Sequence, residues 1–103
     1  MSAYALTPLA KTDIFEIWSY IAEGSENAAE RVEQAIFEAC AFAAEAPLRG
    51  HLRPDLTERP VRFWTLTRYP NYSVVYRPES VPLQVIAVLH GKRNLRRLLR
   101  QRR

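Results

Sequence analysis

Apolar residues in the first part of the chain recur every three or four positions, which is the spacing of one face of an α-helix. The first such stripe runs from Ala10 to Ile21. Thr7-Pro8 stands before it, and we expect the helix to begin there, because threonine can cap the exposed amides and proline needs no N–H at the first helical position. Gly24 is the expected stop. A first amphipathic helix is therefore predicted between Pro8 and Gly24.

A second helical stripe follows after a link of only a few residues. Asn27 and Glu30 have the spacing of a capping box, with asparagine in place of serine or threonine. The apolar spacing continues to about Ala46, and Pro47 is expected to end the helix. Because the link between the two stripes is so short, the helices are predicted to form an antiparallel hairpin.

In the second half of the chain the period of the pattern changes to two, which is typical of β-strands. Residues 61–67, 72–77 and 83–90 are rich in aromatic and β-branched residues. Short links with turn residues join them, so these three strands are predicted to form an antiparallel meander. Residues 3–7 alternate as a short first or edge strand. The wholly apolar run 85–89 indicates a central strand covered on both faces.

The order of these elements predicts an α+β fold, β-α-α-β-β-β, in which a helical hairpin packs on a small antiparallel sheet. Residues 47–60 contain three prolines and a glycine and are predicted to form a loop. Residues 92–103 place leucines at helical spacing among arginines, which predicts a short basic C-terminal helix. The length of 103 residues is that of one domain, so a single domain is expected over residues 1–103.

The net charge of +4 is distributed very unevenly along the chain. Residues 1–46 hold two basic and eight acidic side chains, whereas residues 47–103 hold thirteen basic and three acidic ones. The C-terminal segment 92–103 contributes seven of those basic side chains. Such a division favours an acidic partner for the second half, either a nucleic acid or an acidic protein surface. A domain that merely carries a basic tail is the alternative.

Several classes of protein are disfavoured by what the sequence lacks. The single cysteine, Cys40, stands in an apolar helical stripe and is interpreted as a small buried hydrophobe in a reducing compartment. No apolar run approaches the ~18 residues of a membrane span, and the N-terminus has no signal-peptide pattern. We therefore expect a cytoplasmic protein. Paired Cys/His spacings and glycine-rich phosphate loops are missing as well, so neither a metal nor a cofactor is expected.

Three stretches of sequence have the form of one known family's motifs. The first is the opening strand and helix, where the pattern Ala-x-x-Asp-Leu/Ile-x-x-Ile-x-x-Tyr falls on Ala10, Asp13, Ile14, Ile17 and Tyr20. The second is residues 71–76, which are similar to the family's third strand. The third is residues 86–93, which are similar to its last strand and exit. Over residues 4–99 the chain thus resembles the ParE/RelE superfamily of toxins from bacterial type II toxin–antitoxin systems, and more closely ParE.

This resemblance implies one of two activities. ParE-like members inhibit DNA gyrase and have no established bond-cleaving role, whereas RelE-like members are ribosome-dependent ribonucleases that cut mRNA with basic side chains. Arg93 matches a family arginine that would hold a phosphate. However, Ser73 stands where RelE has a second arginine, Leu99 stands near its C-terminal tyrosine, and residues 63–66 contain no lysine. The prediction is therefore a gyrase inhibitor without catalytic residues; a RelE-like endoribonuclease and a plain nucleic-acid-binding module are the alternatives.

The resemblance also implies a ParD-like antitoxin that neutralises the chain in a hetero-oligomer. Two sets of residues are predicted to contact macromolecules. The target-binding set is basic and consists of Arg62, Arg68, His90, Arg93, Arg96 and Arg97. Its arginines are expected to form one surface around the exit of the sheet, because the guanidinium fork suits phosphates and carboxylates. The antitoxin-binding set is aromatic and consists of Trp18, Tyr20 and Phe37.

Each of these assignments has a structural alternative. Aromatic rings at helical spacing usually pack in or beside a core, and this applies to Trp18 and Tyr20. His90 could serve as an acid or base, but a single histidine at a strand end more often has a structural role. For residues 92–103 the prediction is that they carry toxicity and contribute little to the fold, because crowded like charges repel one another until an acidic partner relieves them. A basic tail that only aids solubility is the alternative there.

Overall fold

The computed structural model describes residues 3–91, and its elements follow the predicted order. The helices are α1, Pro8–Ala22, and α2, Glu26–Glu45, and a single 3-10 turn, Pro47–Arg49, follows α2. The strands are β1, Tyr4–Leu6; β2, Arg62–Thr65; β3, Tyr72–Arg77; and β4, Leu83–His90. The predicted C-terminal helix, residues 92–103, lies outside the described residues.

Side-chain caps set the start of both helices. The Thr7 hydroxyl accepts a hydrogen bond from the Ala10 amide at 3.1 Å, and Pro8 occupies the first turn, which confirms the predicted start of α1. The predicted capping box at Asn27 is wrong. Ser25 caps α2, because its extended backbone lets the hydroxyl accept from the Ala28 amide at 3.1 Å. Asn27 therefore lies inside the first helical turn.

The four strands form one sheet in the order β1-β4-β3-β2. The last three strands make the predicted antiparallel meander. The first strand returns to pair parallel with β4, with Tyr4 opposite Leu83 and Leu6 opposite Val85, so the sheet is mixed. This pairing places β4 between two strands and accounts for the burial of its apolar run.

A β-bulge changes which face of the sheet the side chains of β4 occupy. Val75 is paired with Ala87, but the next residue, Tyr76, is paired with Val85, so Ile86 is the extra residue of β4. Strict alternation would place Val85 and Val88 on opposite faces of the sheet. With the bulge, both belong to the main core.

Two hydrophobic clusters cover the two faces of the sheet. The main core joins both helices to the sheet, and Ile36, Cys40 and Tyr76 are among its fully buried members. The smaller cluster contains Val61, Phe63, Val75, Ile86, Ala87 and Leu89, with Leu56 of the long loop packed against it. The prediction that the last strand is covered on both faces is therefore confirmed. Neither helix in residues 3–91 combines the length and apolar composition needed to cross a membrane.

Candidate functional site

The aspartate of the first motif binds the backbone of the central strand. Asp13 is buried, at 7% exposure, and its Oδ2 accepts a hydrogen bond from the Val88 amide at 3.0 Å. Beside β4, the ladder to β1 ends where the Thr7 amide donates to the Val85 carbonyl at 3.1 Å. Beyond that point the chain has turned into α1, and the Asp13 carboxylate supplies the acceptor that a neighbouring strand would provide. Asp13 thus holds α1 on the sheet.

A second buried contact holds the chain where it leaves α2. The Tyr76 hydroxyl donates to the Pro47 carbonyl at 2.7 Å and accepts from the Gly50 amide at 2.9 Å. Burial raises the pKa of this phenol, which keeps it protonated as a donor. Arg62 completes the contact, since its Nη1 donates to the Gly50 carbonyl at 2.7 Å and the Leu48 carbonyl at 3.3 Å. These donors position the turn after α2.

The basic residues predicted to form one surface are separated by β2. Arg62 begins this strand opposite Tyr76, whereas Arg68 is exposed beyond the other end of the strand, in the link to β3. His90 lies at the same end of the sheet as Arg68, because it is paired with Tyr72. Arg62 and Arg68 therefore lie at opposite ends of β2, and the common basic surface stays a prediction. Three other members, Arg93, Arg96 and Arg97, lie outside the described residues.

His90 is stacked on an aromatic ring of the main core. Its ring centroid lies 4.6 Å from that of Tyr72, with an interplanar angle of 23°. The end of the strand is closed by a hydrogen bond from the Gly91 amide to the Asn71 carbonyl at 2.6 Å. Gly91 has a φ of 62°, a left-handed conformation that glycine adopts without strain. The chain thus leaves the sheet at a tight turn between His90 and the basic C-terminal segment.

Of the three aromatic residues predicted to bind an antitoxin, Trp18 and Tyr20 lie on different sides of α1. Tyr20 is 62% exposed, whereas Trp18 and Phe37 are half-buried, and Phe37 packs against the main core. Two positions along a helix differ by roughly 200° in direction, so Trp18 and Tyr20 lie on different flanks of α1. Phe15, at 67% exposure, is a further exposed ring on this helix that the sequence pattern did not single out.

An aromatic cluster missed by the sequence reasoning links α2 to the outer strand. The ring centroids of Phe42 and Trp64 are 5.3 Å apart, and the His51 ring is stacked on Trp64 with its centroid 6.4 Å away. The Arg49 guanidinium lies 3.5 Å from the centroid of Phe42, as a cation–π contact. Phe42 stands three residues after Ala39, at the spacing of the apolar stripe of α2, and this spacing could have indicated that its ring packs against another element. Nothing in the local sequence indicates that this element is β2.

A groove of about 220 Å³ runs beside this cluster, between α2 and β2. Its lining consists of Ala35, Glu38, Ala39, Phe42, Trp64, Leu66, Thr67 and Arg68. The two alanines have small side chains and leave space on the helix side of the groove, and the rings of Phe42 and Trp64 line another part of it. Arg68, which was predicted to bind the target, thus also borders this groove.

The positions where a RelE-like nuclease would carry basic residues have other roles here. Ser73 lies on β3, and its hydroxyl is 3.0 Å from that of Thr65 on β2, within hydrogen-bonding distance. On and after β2, Phe63 and Leu66 are buried in the two clusters. Within residues 3–91, no group of three His, Cys, Asp or Glu side chains is placed to hold a metal.

Cys40 is a packing residue of the main core. It is fully buried and free. Burial raises the pKa of its thiol to about 12, because an ionised sulfur would lose its hydration there. The thiolate is the reactive form of cysteine, so this side chain is inert at neutral pH. The interpretation of Cys40 as a small buried hydrophobe is confirmed.

Comparison with known proteins agrees with this fold. The sequence model of a family described as the ParE toxin of the type II toxin–antitoxin system parDE matches residues 4–95. Among solved structures, the chain is similar to one described as the chromosomal ParDE TA system from P. aeruginosa, with a TM-score of 0.69 and 25% sequence identity. That similarity covers 88% of this chain and 97% of the other. No curated protein sequence matches. The match to the family model covers most of the sequence, and the chain belongs to the ParE toxin family of type II toxin–antitoxin systems.

Proposed function

We propose that this ParE-type toxin arrests growth by binding and inhibiting DNA gyrase, and that a ParD-like antitoxin neutralises it. The observation that carries the proposal is the family match over residues 4–95, together with the likeness to a structure described as a ParDE system. The charge division along the chain supports two macromolecular contacts, since the acidic first half and the basic second half suit different surfaces.

The side chains of this chain support inhibition by binding over cleavage of RNA. At the positions where RelE-like nucleases have catalytic groups, this chain has other residues. Cleavage of RNA needs groups that activate the 2′-hydroxyl, stabilise the phosphorane and protonate the leaving group. Ser73 at one of these positions is engaged with Thr65, and Phe63 at another is buried. Neither side chain can supply a cationic or acid–base group to a phosphate.

The surface proposed to bind the target lies at the end of the sheet where Arg68 and His90 are found. The sequence adds Arg93, Arg96 and Arg97 shortly after Gly91, so their attachment point is this same end. Exposed arginines favour an anionic partner through bidentate hydrogen bonds. Arg62 is assigned to the fold, because its Nη1 donates to two backbone carbonyls.

The proposal is tested by a supercoiling assay with purified gyrase. We expect the wild-type chain to inhibit supercoiling and Arg68→Ala to inhibit it less. The matched control is Arg53→Ala, since Arg53 is an exposed arginine whose ion pair with Asp55, at 2.8 Å, lies in the long loop. Codon-specific cutting of mRNA on translating ribosomes, with gyrase unaffected, would overturn the gyrase assignment in favour of the RelE-like alternative.

A further inference from the structure

β2 is the last strand of the sheet, and its outer edge is paired only at Phe63 among residues 3–91. Phe63 exchanges both backbone hydrogen bonds with His51, each 2.8 Å long, so its N–H and C=O point away from β3. The backbone N–H and C=O groups of the residues that alternate with Phe63 point toward β3 instead. The hydrogen bond from the Leu66 amide to the Tyr72 carbonyl shows this direction. By this alternation, the backbone groups of Thr65 face outward like those of Phe63. Among residues 3–91, no other segment pairs with this edge past Phe63.

The groove lies on the helix side of this open edge. Trp64 and Leu66 contribute to its lining from the strand, while Ala35 and Ala39 contribute from α2. A chain that paired with the edge would direct alternate side chains toward the helices, because side chains alternate across a strand. An apolar side chain from such a chain would therefore enter the groove beside Trp64.

The charges around the groove favour an acidic occupant. Arg68 borders it where the strand leads into the turn, and Arg49 lies against Phe42. Arg68 thus belongs to the groove itself, whereas Arg49 lies beside the Phe42 ring that lines it. Among the described residues of the lining, Glu38 is the single acidic one. Carboxylates on the incoming chain would pair with these guanidinium groups.

We propose that the antitoxin adds an extended segment to the β2 edge at Thr65 and inserts an apolar side chain into the α2–β2 groove, with acidic neighbours directed at Arg68 and Arg49. This inference rests on the proposed function, because it names how the antitoxin is held. Strand addition takes its affinity from main-chain hydrogen bonds and its specificity from the pockets for alternate side chains. It also covers an edge that would otherwise invite aggregation.

Thr65→Pro is the sharpest test, because proline removes the outward N–H without breaking the ladder to β3. Thr65→Val is its matched control, since both variants lose the hydroxyl contact with Ser73 but only valine keeps the amide. The probe is the purified product of the reading frame next to the gene, and the dissociation constant is measured by calorimetry. We expect Thr65→Pro to weaken binding at least tenfold, which is about 1.4 kcal/mol, and Thr65→Val to stay near the wild type.

A second pair of variants tests the groove independently of the strand backbone. Ala35→Phe fills the groove from α2, and Ala41→Phe makes the same change at an exposed position that does not line it. We expect only the first to weaken binding. In hydrogen exchange, the complex should protect the Thr65 amide.

The outcomes separate the two proposals. A wild-type chain that binds no antitoxin would contradict the proposed function itself. A wild-type complex in which Thr65→Pro and Ala35→Phe bind as tightly as their controls would overturn only the strand addition. Protection confined to the other sheet edge, at Tyr4 and Leu6, would overturn it as well and would place the antitoxin on β1.

Discussion

Removal of a single hydroxyl, by Tyr76→Phe, tests the contact that holds the chain after α2. The phenol ring is fully buried, so phenylalanine keeps the packing and loses only the oxygen. That oxygen donates to the Pro47 carbonyl and accepts from the Gly50 amide. The variant therefore leaves one donor and one acceptor without their partner.

The expected loss of stability follows from the burial of the two backbone groups. Gly50 is buried, and an unsatisfied buried N–H costs about 1–3 kcal/mol. Pro47 is half-buried, and loss of its hydrogen bond adds about 1 kcal/mol. The sum of about 2–4 kcal/mol is a large share of the roughly 5–15 kcal/mol that stabilises a domain of this size. The corresponding fall in melting temperature is at least about 8 °C.

The measurement is thermal and urea unfolding of the wild type and the variant, with hydrogen exchange at the Gly50 amide as a local probe. Tyr69→Phe is the control, because Tyr69 is half-buried and its hydroxyl has no hydrogen-bond partner within residues 3–91. We expect that control to change the unfolding free energy by less than about 0.5 kcal/mol. Equal melting temperatures for Tyr76→Phe and Tyr69→Phe would refute the reasoning, as would unchanged exchange at Gly50.

Three further substitutions probe buried positions. Asp13→Ala should cost about 1–3 kcal/mol in urea unfolding, because it leaves the buried Val88 amide without an acceptor; stability like that of Thr12→Ala, an exposed neighbour on α1, would contradict this role. Gly50→Ala should destabilise strongly, since a methyl group there would overlap the Tyr76 hydroxyl and touch the Phe63 carbonyl; a normal melting temperature would show that the turn can shift. For Cys40, the folded pKa is raised to about 12, so the unfolded chain loses the thiol proton first. Stability should therefore fall as pH rises from 9 toward 12, and Cys40→Ala should remove that part of the pH dependence.

Elements and their order were predictable from the sequence because their signals are local. Helical spacing with Thr7-Pro8 at its start predicts α1, since the cap and the apolar face lie within a few residues of each other. Alternation and turn residues likewise predict β3 at the bounds that the structure has. The cap of α2 was placed wrongly because Ser25 and Asn27 are both good capping residues, and which one adopts an extended backbone depends on how the hairpin closes.

The tertiary structure decided which parts of the chain meet. Nothing near Tyr4 specifies that β1 pairs with β4, about 80 residues later. The bulge at Ile86 likewise appears only in the pairing of β4 with β3. The sequence by itself determined a basic, two-helix toxin domain with an arginine-rich end. Long-range packing alone placed the Arg62 guanidinium against the Gly50 carbonyl and formed the α2–β2 groove. Contacts between distant elements leave no periodic trace in either segment, so the sequence pattern could not predict them.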